Sequence, residues 1–313
     1  MSRTGLRVGI DLGGTKIEGA MLDPSGRVLA RKRVPTPAGD YEGTVRAVVE
    51  LVREVEARAG GQGTVGIGTP GAISPFSGLL RNSNSVALNG RPLDRDLETA
   101  LGRPVRLAND ADCFALAEAV TGAGVGAGTV FGVILGTGVG GGVVIGEMPQ
   151  AGPNRITGEW GHNPQPGEMG KRACYCGRTD CVELYLSGPA VAGEYRRSGG
   201  MELTAEQVMD RIGGDAIAAG VFDRYATRLA RALAVVVNIL DPDVVVLGGG
   251  MSNVDHLYEE VPKRWGRWIF SDGVATRLAR NRHGDSGGVV GAAWLWPVHD
   301  QGSRAMPAGG PGR

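Results

Sequence analysis

The stretch Val8-Gly-Ile-Asp-Leu-Gly-Gly-Thr-Lys16 joins an apolar, β-branched run to a turn of glycine and threonine. The chain repeats this pattern in Gly132-Val-Ile-Leu-Gly-Thr-Gly-Val-Gly-Gly-Gly142. In both copies another apolar run follows the turn, at residues 17–22 and 143–145. Each copy therefore predicts a strand, a turn and a second strand.

These turns have the composition of phosphate-binding loops. Glycines let backbone N–H groups converge on an anion, and a threonine hydroxyl adds another donor. For either copy alone, a simple glycine-rich hairpin is the better interpretation. Because the two copies lie in different halves of the chain, we instead expect two domains around one nucleotide.

Two common nucleotide-binding folds do not fit these turns. Gly136, Gly138 and Gly141 match the GxGxxG pattern, but a β-branched run follows them, whereas the dinucleotide-binding turn must open a helix. The GxxxxGK[ST] motif is also absent from the sequence. We therefore expect neither NAD nor a P-loop fold.

Composition indicates an ordinary globular protein. Of the 313 residues, 42% are hydrophobic, and 33 acidic side chains balance 33 basic ones. Without a basic tract, we expect no nucleic-acid partner. Without an apolar run of about 18 residues or a signal peptide, we expect no membrane association and a cytoplasmic location.

The order of predicted elements is that of an α/β protein. The first half reads βββαβαβα, with strands within residues 6–34, 64–69 and 105–108 and helices at 41–59, 93–101 and 111–120. The second half continues with the repeated hairpin, an irregular stretch at 148–181, a helix at 216–240, a strand at 244–247 and a helix at 287–296. We expect a small domain at 1–121, a larger one at 122–286, and a disordered tail at 300–313.

Asn109 and Asp110 lie where a predicted strand meets a helix, the position at which α/β proteins gather their ligands. Helix capping is the alternative interpretation of this pair. If a sugar hydroxyl attacks the γ-phosphate of ATP, one carboxylate accepts its proton, and Asp110 is the candidate base. Asp11 either holds Mg²⁺, directly or through water, or only braces its turn.

The predicted nucleotide contacts at the turns are backbone N–H groups, two hydroxyls and one ammonium that offsets phosphate charge. They comprise Gly13, Gly14, Thr15, Lys16, Gly136, Thr137 and Gly138.

His162, Cys174, Cys176 and Cys181 match a Cys₃His zinc site. Three thiols within eight residues cannot all form disulfides with one another, and a reducing cytoplasm disfavours disulfides. Four protein ligands close the coordination sphere, so we expect a structural zinc that orders residues 158–177. The fourth cysteine, Cys113, is expected in the core.

Glu159 and Glu183 flank these ligands in the sequence, so the loop would bring both carboxylates to one place. Carboxylates suit sugar hydroxyls because each oxygen accepts hydrogen bonds, although solvated surface acids are the alternative interpretation. His162 is expected to bind zinc through one ring nitrogen and a hydroxyl through the other.

Together, these motifs resemble the ROK family of bacterial sugar kinases and repressors, roughly over residues 6–297. The resemblance rests on residues 11–16, 109–110, 135–142, 158–162, 174–183 and 248–250. It implies an actin-like ATPase fold, with a ribonuclease-H-like domain on either side of a cleft. It also implies a homodimer and a final helix, within 287–297, that packs back on the first domain.

Within that family, residues 69–75, 82–85, 159–164, 174–176 and 282–286 look most like the fructokinase (mannofructokinase) branch. The similarity implies Asp110 as base, with Gly249 and Gly250 near the adenosine. It places the sugar against Gly71, Asn84, Asn109, Glu159, His162 and Glu183. Asp112 departs from the asparagine common in the family, and its charge is expected to raise the pKa of Asp110. The spacer from His162 to Cys174 is also short.

The sequence therefore predicts ATP-dependent phosphorylation of the 6-hydroxyl of fructose, with mannose or glucose as poorer substrates. A kinase for N-acetylglucosamine or glucose is the alternative within the same site. A sugar-responsive repressor is a further alternative, which we do not expect because its helix-turn-helix would precede the first strand and this sequence has residues 1–5 there. A third alternative is an actin-like filament protein or a chaperone ATPase. We do not favour it, because neither activity would use the cysteine loop and its flanking acids.

Overall fold

The first half of the chain forms a five-stranded sheet with the order β3-β2-β1-β4-β7. β1 pairs antiparallel with β2 and parallel with β4, which pairs parallel with β7. The strands are β1 (Arg7–Leu12), β2 (Lys16–Leu22), β3 (Val28–Pro35), β4 (Thr64–Thr69) and β7 (Val105–Asn109). The helices are α1 (Tyr41–Ala59), α2 (Leu93–Leu101) and α3 (Asp110–Thr121), and β5 (Ala72–Ile73) and β6 (Leu80–Arg81) form a separate hairpin.

The second half repeats this topology in the order β10-β9-β8-β11-β12. β8 pairs antiparallel with β9 and parallel with β11. The strands are β8 (Thr129–Leu135), β9 (Val139–Ile145), β10 (Met148–Pro149), β11 (Val244–Gly248) and β12 (Arg277–Arg280). The helices are α4 (Glu183–Leu186), α5 (Gly188–Arg197), α6 (Ala205–Met209), α7 (Ala216–Leu240), α8 (Leu257–Trp265) and α9 (Gly287–Ala293). Both predicted strand-turn-strand units are thus equivalent hairpins in two sheets.

Helices α3 and α9 pack together and reach both sheets. A methyl group on Gly291 of α9 would lie 1.6 Å from the carbonyl oxygen of Cys113 in α3, so the helix backbones touch. α9 also lies on β1 and β4, where a methyl group on Gly66 would meet the Ala292 carbonyl at 1.8 Å. Cys113 is fully buried, as expected for a core thiol. The final helix therefore packs against the first sheet.

Most predicted elements occur within one residue of their expected bounds, and α1, β4, α2 and α7 match them. The final helix was predicted too long, because α9 ends at Ala293. After Cys181 the chain is mainly helical, with α4, α5 and α6 in succession and a break at Ser187. The predicted boundary between residues 121 and 122 falls between α3 and β8, and the division into domains stays a proposal.

This computed structural model describes residues 5–170 and 172–297. The tail at 300–313, for which we predicted disorder, lies outside that range. Within it, none of the helices has both the length and the apolar composition that crossing a bilayer requires.

Candidate active site

The first glycine turn connects β1 to β2 and is held by its own backbone. The Gly13 N–H donates to the carbonyl of Lys16 at 3.0 Å, and the Thr36 hydroxyl donates to the Gly13 carbonyl at 2.7 Å. These bonds use one side of the turn, whereas Gly14, Thr15 and Lys16 are exposed. The turn therefore presents a backbone, a hydroxyl and an ammonium to an incoming ligand.

The second turn connects β8 to β9 and contacts the end of β11. The Gly136 N–H donates to the carbonyl of Gly138 at 3.0 Å. Gly249 has a φ of 77°, and a methyl group there would lie 2.5 Å from the Leu135 carbonyl oxygen. Only glycine can be accommodated at this distance. The backbone of Gly249 therefore packs directly against the second turn.

A cavity of about 1130 Å³ opens beside the second turn. Gly136 and Thr137 line one side of it, Gly250 and Met251 another, and Pro189 a third. Glu206, Asp210 and Asp255 also line it, and carboxylates accept hydrogen bonds from hydroxyl groups. The space and its lining suit a nucleoside whose phosphates reach the second turn.

Asn109 and Asp110 lie at the junction of β7 and α3. The Ala111 N–H is 2.9 Å from Oδ1 of each side chain, so the helix-capping alternative is correct for Asn109. The Asp110 side chain remains accessible in the cleft, although protein crowds it on several sides. That crowding is the main reason for its raised pKa, and Glu159 raises the pKa further.

Asp11 and Asp110 lie at the same edge of the first sheet, since β1 and β7 run in the same direction. Desolvation, and then the charges of Asp110 and Glu18, raise the pKa of Asp11 to about 6, against the opposing effect of Lys16. A methyl group on Gly288 would lie 2.8 Å from the Asp11 carboxylate, so Asp11 also adjoins the start of α9. Asp11 therefore lies within electrostatic range of other acids, next to the first turn.

Asp112 is part of this acidic group. Desolvation is the main cause that raises its pKa to about 7, followed by the charges of Glu159 and Asp110. Its buried Oδ1 has no hydrogen-bond partner among the described residues. The expected repulsion between Asp112 and Asp110 is present and raises the pKa of Asp112, and Glu159 is a second acid that raises the pKa of Asp110.

His162, Cys174, Cys176 and Cys181 come together as predicted, with one donor atom from each lying within 4.8 Å of all the others. Sγ of Cys176 is 3.6 Å from Sγ of Cys181, and Sγ of Cys174 is 3.8 Å from Nδ1 of His162. Both distances are far longer than the roughly 2.05 Å of a disulfide. They match the spacing of about 3.8 Å between ligands of a tetrahedral ion with metal–sulfur bonds of about 2.3 Å.

The segment that carries Glu159 and His162 is fixed to β9. The indole Nε1 of the buried Trp160 donates to the Gly140 carbonyl at 2.9 Å. Gly158 has a φ of 87°, and a methyl group there would lie 2.2 Å from the Gly141 carbonyl oxygen. This close backbone contact holds Glu159 near Asp110.

The other predicted sugar contacts lie around the same cleft. Nδ2 of Asn109 donates to the Gly71 carbonyl at 3.3 Å, so these two residues adjoin each other. Asn84 lies beside the first turn, where its Oδ1 would be 3.9 Å from a methyl group on Gly14. Glu183 contacts the second turn by accepting a hydrogen bond from the Val139 N–H at 2.9 Å.

Two polar residues at the site were missed by sequence reasoning. The Ser85 hydroxyl would lie 3.3 Å from a methyl group on Gly14, and in the described part of the chain it has no partner. The Tyr175 hydroxyl is 3.1 Å from Nε2 of His162, the ring nitrogen for which we had expected a substrate hydroxyl. Both could have been identified from their positions in the sequence, because each is adjacent to a predicted ligand.

The chain is similar over most of its length to known sugar kinases. The N-acetyl-D-glucosamine kinase of Salmonella paratyphi B is 42% identical over 296 residues, covering 92% of this chain and 98% of that protein. The structure of a ROK hexokinase from Thermus thermophilus matches with a TM-score of 0.83 at 34% identity, covering 93% of this chain and 97% of the other. A ROK family glucokinase from Streptomyces griseus, solved with glucose and AMPPNP, matches with a TM-score of 0.74 at 29% identity, covering 93% and 99%.

The likeness to these sugar kinases confirms the actin-like ATPase fold, with two sheets flanking a cleft. The model of the ROK family matches residues 7–299, which is nearly the whole chain. The chain therefore belongs to the ROK family and is one of its sugar kinases.

Proposed function

We propose that this kinase transfers the γ-phosphate of ATP to the 6-hydroxyl of N-acetyl-D-glucosamine. The observation that carries the reaction is the position of Asp110, whose carboxylate is accessible in the cleft at the sheet edge that it shares with Asp11. The choice of sugar is supported by the relatives that are 42% identical over almost the full length and are N-acetyl-D-glucosamine kinases.

Asp110 is the proposed general base. As the sugar oxygen bonds to the γ-phosphorus and the bond to the ADP oxygen breaks, the hydroxyl proton passes to the Asp110 carboxylate. A raised pKa makes this carboxylate a stronger base than an ordinary aspartate. Most of the remaining rate comes from holding the two substrates in line.

The two turns are proposed to bind the phosphates of ATP and the cavity its nucleoside. The proposed contacts belong to the two turns and to the residues that follow β11: Gly13, Gly14, Thr15, Lys16, Gly136, Thr137, Gly138, Gly249 and Gly250. Asp11 would hold Mg²⁺, directly or through water, and the ion would supply positive charge to offset that of the phosphates. Its position among other acids supports this role over simple bracing of the turn.

The sugar is proposed to lie between the loop anchored on β9 and the end of β7. Glu159 and Glu183 would accept hydrogen bonds from its hydroxyl groups, which suits side chains that only accept when ionised. Asn84, Asn109 and the backbone of Gly71 would contact it from the side of the first sheet. His162, at the edge of the cysteine cluster, would act on the sugar either directly or through the Tyr175 hydroxyl that it contacts.

The ion in that cluster is proposed to be zinc in a structural role. Its three thiolates and one imidazole are preferred zinc ligands, and four protein ligands leave no open position for substrate. We expect about one zinc per chain by metal analysis. Cys176→Ser should lose the ion and raise the KM for sugar, whereas Cys113→Ala, outside the cluster, should retain it; a zinc-free protein of full activity would exclude the structural role.

Fructose is the second candidate, because residues 159–164 and 174–176 resemble the fructokinase branch. Coupled assays of kcat/KM with N-acetylglucosamine, fructose, mannose and glucose distinguish the candidates. We expect N-acetylglucosamine to lead by at least about tenfold. Fructose in the lead would replace our assignment, equal values would contradict selectivity, and no turnover of any of the four sugars would overturn the proposed kinase activity on these hexoses.

A further inference from the structure

Tyr175 projects from the cysteine cluster into solvent, between two of the cluster's thiols. Its side chain is 82% exposed, although it is held in a defined position. Its hydroxyl is 3.1 Å from Nε2 of His162, and the two rings are perpendicular with their centroids 5.3 Å apart. An ordered yet exposed aromatic ring offers a surface that a ligand can cover.

The other tyrosines of the chain differ from Tyr175. The sequence contains six, and all lie within the described ranges. Four are buried and one is half-buried: Tyr41, Tyr185, Tyr195, Tyr225 and Tyr258. Tyr175 is thus the one whose ring is open to solvent, and this makes it both unusual and easy to probe.

The protonation of His162 determines what the Tyr175 hydroxyl can do. Nδ1 of His162 faces Sγ of Cys174 within the cluster, so Nδ1 is the nitrogen that binds an ion there. Nε2 then carries the ring proton and donates it to the tyrosine oxygen. The phenolic O–H is consequently left to donate to another acceptor.

The partner of this hydroxyl, His162, also contacts a proposed sugar-binding residue. The backbone N–H of His162 donates to the Glu159 carbonyl at 3.3 Å, so the tyrosine adjoins the segment that carries Glu159. Glu183, the other proposed acid, follows the cluster residue Cys181 by two positions. Because the Glu159 charge also acts on Asp110, this segment connects Tyr175 with the surroundings of the proposed base.

We propose that Tyr175 is a sugar-binding residue, whose ring is covered by the hexose and whose hydroxyl, oriented by His162, donates a hydrogen bond to a sugar oxygen. The proposal rests on the proposed function. It replaces the direct contact expected between His162 and the sugar, because the single proton on Nε2 already serves the tyrosine. An aromatic ring suits this place because it packs against the C–H groups of a sugar while its polar end stays hydrogen-bonded.

The first test is equilibrium binding of the hexose without nucleotide, by calorimetry, using whichever of the four sugars the wild-type protein phosphorylates best. Tyr175→Phe keeps the ring and removes the hydroxyl, and should weaken hexose binding about threefold. Tyr175→Ala removes both and should weaken it at least about tenfold. Zinc content and the KM for ATP should stay at wild-type values in Tyr175→Phe. Phe270→Ala, at another fully exposed aromatic residue, is the matched control and should bind hexose normally.

The second test is hydroxyl-radical footprinting of the wild-type protein with and without saturating hexose. We expect the oxidation of Tyr175 to fall severalfold while that of Phe270 stays constant. Unchanged hexose binding by Tyr175→Phe, or an unchanged footprint at Tyr175, overturns the proposal. Either result would be obtained with a wild-type protein that phosphorylates a hexose. The proposed function fails in a different way, since the wild-type protein would then phosphorylate none of the four sugars.

Discussion

Glu183 accepts a hydrogen bond from the backbone N–H of Val139 at 2.9 Å. Glu183 follows the cluster residue Cys181 by two positions, and Val139 begins β9 directly after the second glycine turn. The same carboxylate lies so close to the turn that a methyl group on Gly138 would be 2.6 Å from its Oε2. The cysteine loop and the proposed phosphate site are therefore in direct contact.

We expect Glu183→Ala to raise the KM for both substrates, because it removes a proposed sugar ligand and leaves the Val139 N–H without its acceptor. The lost bond should also lower the free energy of unfolding by about 1 kcal/mol. Glu183→Gln is the matched variant, since its amide oxygen still accepts from Val139 and should preserve the KM for ATP. Steady-state kinetics with both substrates varied will check this; an unchanged KM for ATP in Glu183→Ala contradicts the coupling.

Asp110→Asn should lower kcat by about 10² to 10⁴, as expected on removal of a general base, and leave hexose binding nearly unchanged. The wild-type kcat should fall as pH decreases through the pKa of Asp110. Because that pKa is raised, the fall should begin above the usual range of aspartate. Stopped assays for the variant and a pH profile for the wild type measure these effects, and retained turnover in Asp110→Asn excludes the role.

Glu159→Gln tests the electrostatic part of that prediction. Removing the Glu159 charge should lower the pKa of Asp110, so the acid limb of kcat should move to lower pH at saturating sugar. An acid limb at the wild-type position would mean that Glu159 does not influence the base.

Asp112→Asn should stabilise the protein most above neutral pH. The pKa of Asp112 rises from 3.8 to about 7 on folding, so below pH 4 the residue is neutral in both states. Between these pH values Asp112 is ionised only in the unfolded chain. Stability therefore declines as pH rises from about 4 through 7. The neutral asparagine avoids that decline.

The expected gain is about 1–3 kcal/mol at pH 8, shrinking towards pH 4. Urea unfolding at several pH values measures it, with the exposed Asp272→Asn as control. A gain that is constant with pH would show that the Asp112 charge is not its cause.

Local chemistry explains what the sequence predicted well. α1 has the predicted limits because Asp40 caps its first turn and Gly60 ends it in the left-handed conformation. Both hairpins follow from alternating apolar runs around glycine turns. The cysteine cluster was predictable because few other arrangements satisfy three thiols and an imidazole. Fructose as substrate, the homodimer and the cytoplasmic location stay predictions.

What the sequence did not reveal depends on contacts between distant segments. The hydrogen bond from Val139 to Glu183 uses a backbone donor, so the type of residue at position 139 gives no indication of it. β5 and β6 have two residues each, which is too few to show the alternation of apolar and polar residues that predicts a strand. α8 contains Pro262, which argues against a helix in any pattern analysis. The contact of Tyr175 with His162 required the loop to be folded.

Gly249→Ala should raise the KM for ATP by at least about tenfold, with a smaller effect on the KM for sugar. The substitution is strained by the φ of 77°, and its methyl group would lie 2.5 Å from the Leu135 carbonyl oxygen, at the start of the second turn. Relief of that contact moves β11 away from the turn and disturbs both the phosphate contacts and the adjoining cavity. Gly273→Ala is the control, because its methyl group meets nothing within 4 Å. Nucleotide binding measured by calorimetry separates this effect from chemistry, and a Gly249→Ala protein with wild-type ATP affinity would show that the turn does not depend on its contact with β11.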